Sequence, residues 1–232
     1  MESIHFLAFG PHPDDAEIGT GAFLLKMKAL GHRTGMVCLT QGEMGSGSPE
    51  ARLEETRQAA RDLKLDVFEV LDMGDTQLAD TPQNRTAVAS LVRKYRPEIV
   101  LAPYYGLEPS RGRGHADHVI CGHLVTHGTN FAHLEKYPAE GRAHAVKKMM
   151  YYFLPPFMKP TFIVPVDEEF PQALQALANH KTQFERPDRP RLFPTRLEAM
   201  ASYQGAQIGA RFGQAFYVQD VLRVEDPLKL LG

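Results

Sequence analysis

"FGPHPDDAEIGTG", residues 9–21, decides the fold. A short apolar run, His5 to Phe9, stops at Gly10 and Pro11, and a histidine and two adjacent aspartates fill the turn that follows. Ile18, Ala22, Leu25 and Ala29 then recur at helical spacing until Gly31 closes the run. Strand, turn, helix is the first unit, and the same grammar repeats down the chain. "RTGMVCLT", Arg33 to Thr40, reads as a strand, followed by the glycine-rich "QGEMGSGSPE" and a helix from Glu50 to Leu63. Val67 to Leu71 is the third strand, Gln83 to Tyr95 the third helix and "EIVLA", Glu98 to Ala102, a fourth strand. Its unbroken apolar character suits a sheet covered on both faces. "DHVICGHLVTHGTNF", Asp117 to Phe131, supplies the fourth helix. This alternation predicts an α/β fold, a three-layer α/β/α Rossmann-like arrangement around a mainly parallel sheet.

Beyond residue 135 the pattern is less regular. "VKKMMYYFL" and "TFIVPV" read as strands, Phe170 to Asn179 and Leu197 to Phe212 as helices, with Pro187, Pro190 and Pro194 in the loop between those helices. A single domain over 1–232 is expected, with 1–135 as the Rossmann-like core and 136–232 completing the sheet and walling the site.

Composition removes several classes of function. Twenty-six basic against 28 acidic residues, a net charge of -2, offers no field for nucleic acid. The two cysteines, Cys38 and Cys121, lack the spacing for a disulfide framework or a CxxC site and read as buried packing residues. The N-terminus lacks a basic region, and no apolar run is long enough to span a bilayer. A cytoplasmic protein with no membrane segment is expected.

In a doubly wound sheet the strand order reverses between the first and fourth strands, and ligands bind at the carboxyl ends of those strands. The loop after the fourth strand carries "GHADH", residues 114–118, so His12, Asp14, Asp15, His115, Asp117 and His118 converge there. An aspartate after a strand is ordinarily explained by helix capping, but a second His/Asp cluster on the matched loop is not. His12, Asp15 and His118 form a two-imidazole, one-carboxylate set that leaves coordination positions open on a divalent metal. Asp14 is left beside it as general base, Asp117 to orient His115, and His115 to meet charge developing on a substrate oxygen. His123 and His127 stand four apart without the glutamate of a zinc-protease helix and read as structural. Gly19 and Gly21 form no GxGxxG and read as close helix-on-sheet contacts. "GSGSPEAR" reads as a lid carrying Arg52 over an anionic substrate; "RGRG", residues 111–114, reads equally as a carboxylate-binding or a solvated loop.

These residues resemble the LmbE-like, or PIG-L, family of metal-dependent N-acetylsugar deacetylases. The family's HPDDE-like first motif stands here as His12-Pro13-Asp14-Asp15-Ala16-Glu17, and its HPDH-like second motif as His115-Ala116-Asp117-His118. The resemblance implies zinc on His12, Asp15 and His118, with Fe2+ or Mn2+ as alternatives, Asp14 as base and His115 as oxyanion stabiliser. "SPEARLEE" around Arg52, "LAPYY", "KTQF" at Lys181 to Phe184 and "GAQIGARFGQAFYV" at Gly205 to Val218 resemble the branch that deacetylates N-acetylglucosaminyl malate in bacillithiol biosynthesis. That branch implies substrate contacts from Arg52 and from Arg113 or Arg111, a small acetylated amino-sugar substrate, and a homo-oligomer, with a hexamer expected. The alternatives are a chitobiose or mycothiol-type conjugate, or a non-catalytic Rossmann-like binding module. Three departures stand out: Ala116 replaces a proline, "GLEPSRGRG" lengthens the second loop, and Phe193 stands nearest to where some relatives place a tyrosine.

Overall fold

Nine elements alternate through the first two thirds of the chain: β1 (Phe6–Gly10), α1 (Asp15–Ala29), β2 (Thr34–Cys38), α2 (Pro49–Asp62), β3 (Val67–Val70), α3 (Pro82–Tyr95), β4 (Ile99–Pro103), α4 (Ala116–Phe131) and β5 (Lys148–Tyr152). The computed structural model describes residues 3–106, 115–185 and 192–226. The five strands form one sheet in the order β3-β2-β1-β4-β5, every neighbouring pair parallel. The order reverses between β1 and β4, as the alternation predicts, so the turns after those two strands open on one crevice.

Period-2 alternation splits the apolar strand residues between two cores. Ala8, Met36, Leu101 and Met150 pack with Ala22, Leu24 and Ala173 on the side of α1. Leu7, Phe9, Val37 and Val100 pack with Val88, Val92, Leu124 and Val125 of α3 and α4. Both cysteines are free and buried within the sheet and α4.

Helix starts follow their local chemistry. Ser48 accepts a hydrogen bond from the Ala51 amide, with Pro49 in the first turn of α2. Thr81 and Pro82 repeat the device at α3. Only one of the two early α1 glycines is obligatory. A Cβ at Gly19 would lie inside the Tyr152 ring, whose hydroxyl donates to the Phe9 carbonyl at 2.6 Å. A Cβ at Gly21 meets nothing nearer than 3.5 Å. Gly19→Ala is therefore expected to cost about 1–3 kcal/mol by overpacking, lowering Tm by about 2–4 °C per kcal/mol. Gly21→Ala should leave Tm level or raise it through helix propensity. Equal Tm values for the two variants in a thermal melt would refute the distinction.

The last third departs from the sequence reading. β6 (Phe162–Pro165) leaves the main sheet and pairs antiparallel with β7 (Gly213–Phe216). A bridge between Tyr151 and Tyr217 joins that ribbon to β5. α5 (Glu169–Leu177) follows β6, and a single turn, α6 (Lys181–Phe184), follows it. α7 spans Leu192–Ala206 rather than 197–212. Pro194 is tolerated in its first turn, where an amide has no intrahelical partner. At Gly205 a Cβ would meet the Phe212 amide nitrogen at 2.7 Å, so the chain doubles back there and enters β7.

Candidate metal centre

The β1–α1 turn is bent so that its two aspartates do different things. Asp14 occupies the position before α1 with φ 102°, a region that non-glycine residues enter only under strain. Among the described residues its carboxylate makes no capping hydrogen bond. Asp15 turns back on the loop, accepting from the His12 amide at 3.1 Å. Its carboxylate lies between two imidazoles, Oδ2 at 2.9 Å from His12 Nδ1 and Oδ1 at 3.0 Å from His118 Nε2. One donor atom from each of His12, Asp15 and His118 falls within 4.8 Å of the others. A carboxylate with two neutral imidazoles is a donor set for zinc, and equally for ferrous iron.

His12 also identifies which of its nitrogens serves. Nε2 lies 3.0 Å from Asp117 Oδ2 and 3.1 Å from Asp75 Oδ1. Nε2, facing two carboxylates, keeps its proton, so Nδ1, beside Asp15, is the nitrogen that would give up its proton to become a lone-pair donor to a cation. His12, Asp75, His115 and Asp117 are themselves close enough to offer a cation four atoms. The proton on Nε2 makes that second group an outer support that fixes the His12 ring.

Asp117 thus meets His12 as well as His115. Its Oδ2 also accepts from the Thr76 amide at 2.8 Å, and it stands 3.7 Å from His115 Nδ1. His115 is oriented instead by the Asp117 backbone: the amide donates to His115 Nδ1 at 3.3 Å, where His115 caps α4. That bond selects the tautomer with hydrogen on Nε2, a donor at the cavity.

Electrostatics separate the two aspartates further. Burial raises both, but His118 and His12 overrule it at Asp15 and hold that carboxyl well below the ordinary range. For Asp14, burial and the neighbouring Asp15 raise it to about 7, against the pull of His180 and Arg52. Burial opposes charge on His12, yet Asp15, Asp117 and Asp75 win and raise it to about 9. His118 is raised by Asp15 against the same opposition.

The centre opens into a cavity of about 570 Å³. Arg52 borders it, 3% exposed, with its guanidinium donating to the Gly42 carbonyl and, at 3.0 Å, to that of Pro13. Gly42 and Gly45 make room for it, since a Cβ at either would collide with the guanidinium. The glycine-rich loop therefore wraps an arginine that also secures the aspartate turn. Met44 (67% exposed) and Phe184 supply apolar rim, and Gln183 joins them from α6. Arg111 and Arg113 lie outside the described residues, as does the side chain of Phe193.

Some participants carry little readable signal in the sequence, and the partner of the motif's Glu17 carries none. Asp75 sits in "MGDT" after β3, and only its place at the carboxyl end of the strand next to β2 hints at the crevice. Glu17 and His180, 4% and 0% exposed, face one another at 3.3 Å behind Asp14. His123 and His127 take no part: His127 Nδ1 lies 2.7 Å from Asp80, and His123 packs on Tyr105. No helix among the described residues is long and apolar enough to cross a membrane.

Comparison with known proteins meets the same residues. Residues 7–128 match the PIG-L family, described as GlcNAc-PI de-N-acetylase. The diacetylchitobiose deacetylase of Thermococcus kodakarensis is 30% identical over 221 residues, covering 90% of this chain and 80% of that protein. A probable N-acetyl-alpha-D-glucosaminyl L-malate deacetylase 2 of Bacillus anthracis is 26% identical, covering 78% of this chain and 81% of the relative. The crystal structure of a conserved protein from Thermus thermophilus superposes with a TM-score of 0.85 at 34% identity, over 95% of this chain and 97% of the other.

Proposed function

This chain belongs to the PIG-L, or LmbE-like, family of N-acetylglucosamine-conjugate deacetylases, and from that premise we propose that it hydrolyses the acetamide of an N-acetylglucosaminyl conjugate at His12, Asp15 and His118. The observation that carries the reading is Asp14, whose carboxylate is held beside a complete ligand set by a strained backbone and is not spent on capping the helix. Deacetylases of this family are metal-dependent, and zinc is the proposed ion, with Fe2+ or Mn2+ suited to the same donors. A divalent cation there supplies Lewis acidity toward the acetamide carbonyl and toward water.

The chain's own groups do the rest. Asp14 takes the proton of the attacking water while oxygen bonds to the carbonyl carbon. His115 Nε2 donates to the carbonyl oxygen as its negative charge grows. Asp14 then returns the proton to the amide nitrogen as the C–N bond breaks, leaving acetate and a free amino sugar. Asp117 and Asp75 keep His12 in register throughout.

The finer proposal is N-acetylglucosaminyl malate, with Arg52 at the cavity wall and Arg113 as contacts for the malate carboxylates; similarity to the Bacillus relative supports it. Diacetylchitobiose is the second reading. It is favoured by the Thermococcus relative and by the apolar rim of Met44 and Phe184, which offers a surface for a sugar face. The test is acetate release from both compounds, with metal content measured before and after chelation. Chelator-sensitive release carries the deacetylase reading, and the preferred compound decides the branch. A metal-loaded protein that releases acetate from neither refutes both substrates.

A further inference from the structure

Behind the metal centre lies a second cavity, apolar and of about 80 Å³, between α1, α5, α7 and β7. Ala22, Phe170, Ala173, Leu197 and Ala201 form its sides. It begins one ring away from a metal ligand, because Phe153, another of its walls, stacks on His118 with centroids 5.3 Å apart. Its acidic wall, Glu17, is already matched by the buried His180 at 3.3 Å.

Ile18 borders both cavities. Its amide donates to the Asp14 carbonyl at 2.9 Å, which puts it one turn along α1 from the two aspartates and on their face. The other apolar residues of the cavity, Met44 in the glycine-rich loop and Phe184 at the end of α6, come from distant segments; Ile18 shares a helix with Asp15. An acetamide whose carbonyl carbon lies within reach of Asp14 must set its methyl against some apolar surface, and Ile18 is the one adjoining that aspartate.

Resting on the deacetylase reading above, we propose that Ile18 is the acyl-length gate of the site. Its side chain seats the acetyl methyl and closes the way into the apolar cavity, so the protein accepts N-acetyl groups and rejects longer N-acyl chains. Shortening the residue joins the two spaces and gives an alkyl chain apolar walls to lie against.

The experiment compares kcat/KM for N-acetyl, N-propanoyl and N-butanoyl forms of one glucosamine conjugate, in the metal-loaded wild type, Ile18→Val, Ile18→Ala and Ile18→Ala with Ala201→Leu. The wild type should favour acetyl. Ile18→Ala should raise the butanoyl-to-acetyl ratio by about 10–100-fold, the discrimination that one or two methylenes carry in an apolar pocket. Ile18→Val should give a smaller rise, favouring propanoyl. Ala201→Leu, which fills the rear cavity, should cancel the gain in the double variant while leaving acetyl turnover unchanged when introduced alone. Acetate release with an unaltered chain-length ratio in the Val and Ala variants, each folded by its melting curve, overturns the gate alone. Absence of acetate release from the wild type overturns the deacetylase reading and the gate together.

Discussion

Asp14→Asn is expected to lower kcat by about 10²–10⁴-fold, the range that a positioned general base contributes, with bound metal at the wild-type stoichiometry. The amide keeps the size of the carboxylate, and asparagine tolerates a positive φ better than most residues, so the 102° backbone of this position survives the exchange. What is lost is the ability to take a proton. Asp15→Asn makes the contrast, because Asp15 contacts both His12 and His118 and its loss should empty the site. Steady-state kinetics with metal analysis on the two purified variants distinguishes the roles. Loss of metal from Asp14→Asn would move that residue into the ligand set.

The second large effect is a pH-dependent stabilisation by the cation. Without a cation, His12 titrates at about 9 rather than near 6.5, so its contribution to stability is present below 6.5 and lost as pH rises through 9. Asp14, raised from 3.8 to about 7, acts in the same direction: keeping its charge buried costs stability as pH rises from 4 to 7. Asp15 is lowered, so its contribution is constant above pH 4 and fades only in acid. The metal-free protein should therefore melt at progressively lower temperature from pH 6 to pH 9. A divalent cation replaces the Nδ1 proton of His12, leaving that on Nε2, and offsets the charge on Asp14, so the rise in Tm on adding zinc should be larger at pH 9 than at pH 6. Binding at pH 7 should release protons, measurable by calorimetry in buffers of different ionisation enthalpy. A zinc-induced shift that is flat or falls over this range would contradict the charge arrangement of the turn.

The first four strand–helix units are readable because long apolar runs alternate with glycine and proline punctuation, and their bounds in the structure lie within two residues of the reading. The crevice followed from topology, and the two motifs met there. The rest needed contacts distant in sequence. Nothing in "GQAF", residues 213–216, marks a strand; it becomes one because β6 turns away from the sheet and presents its edge. Asp75 is one of three aspartates between β3 and α3, and nothing singles it out until His12 is folded against it. Glu17 stands in the first motif, but only the fold reveals that it is buried against a histidine that follows α5. Asp117 reads as a partner for His115, which it touches at 3.7 Å, but its shorter contact, with His12, depends on the fold.

Arg52 joins two segments that would otherwise fluctuate separately. One guanidinium holds the carbonyl of Gly42 in the glycine-rich loop and that of Pro13 in the turn carrying both aspartates. Lifting the loop therefore means releasing the turn or leaving a buried cation short of an acceptor. In hydrogen exchange the amides of the two segments should open as one cooperative unit, with a common free energy, although they are separated by a whole helix and strand. Entry of a substrate that displaces the loop is then felt at Asp14 through a single side chain.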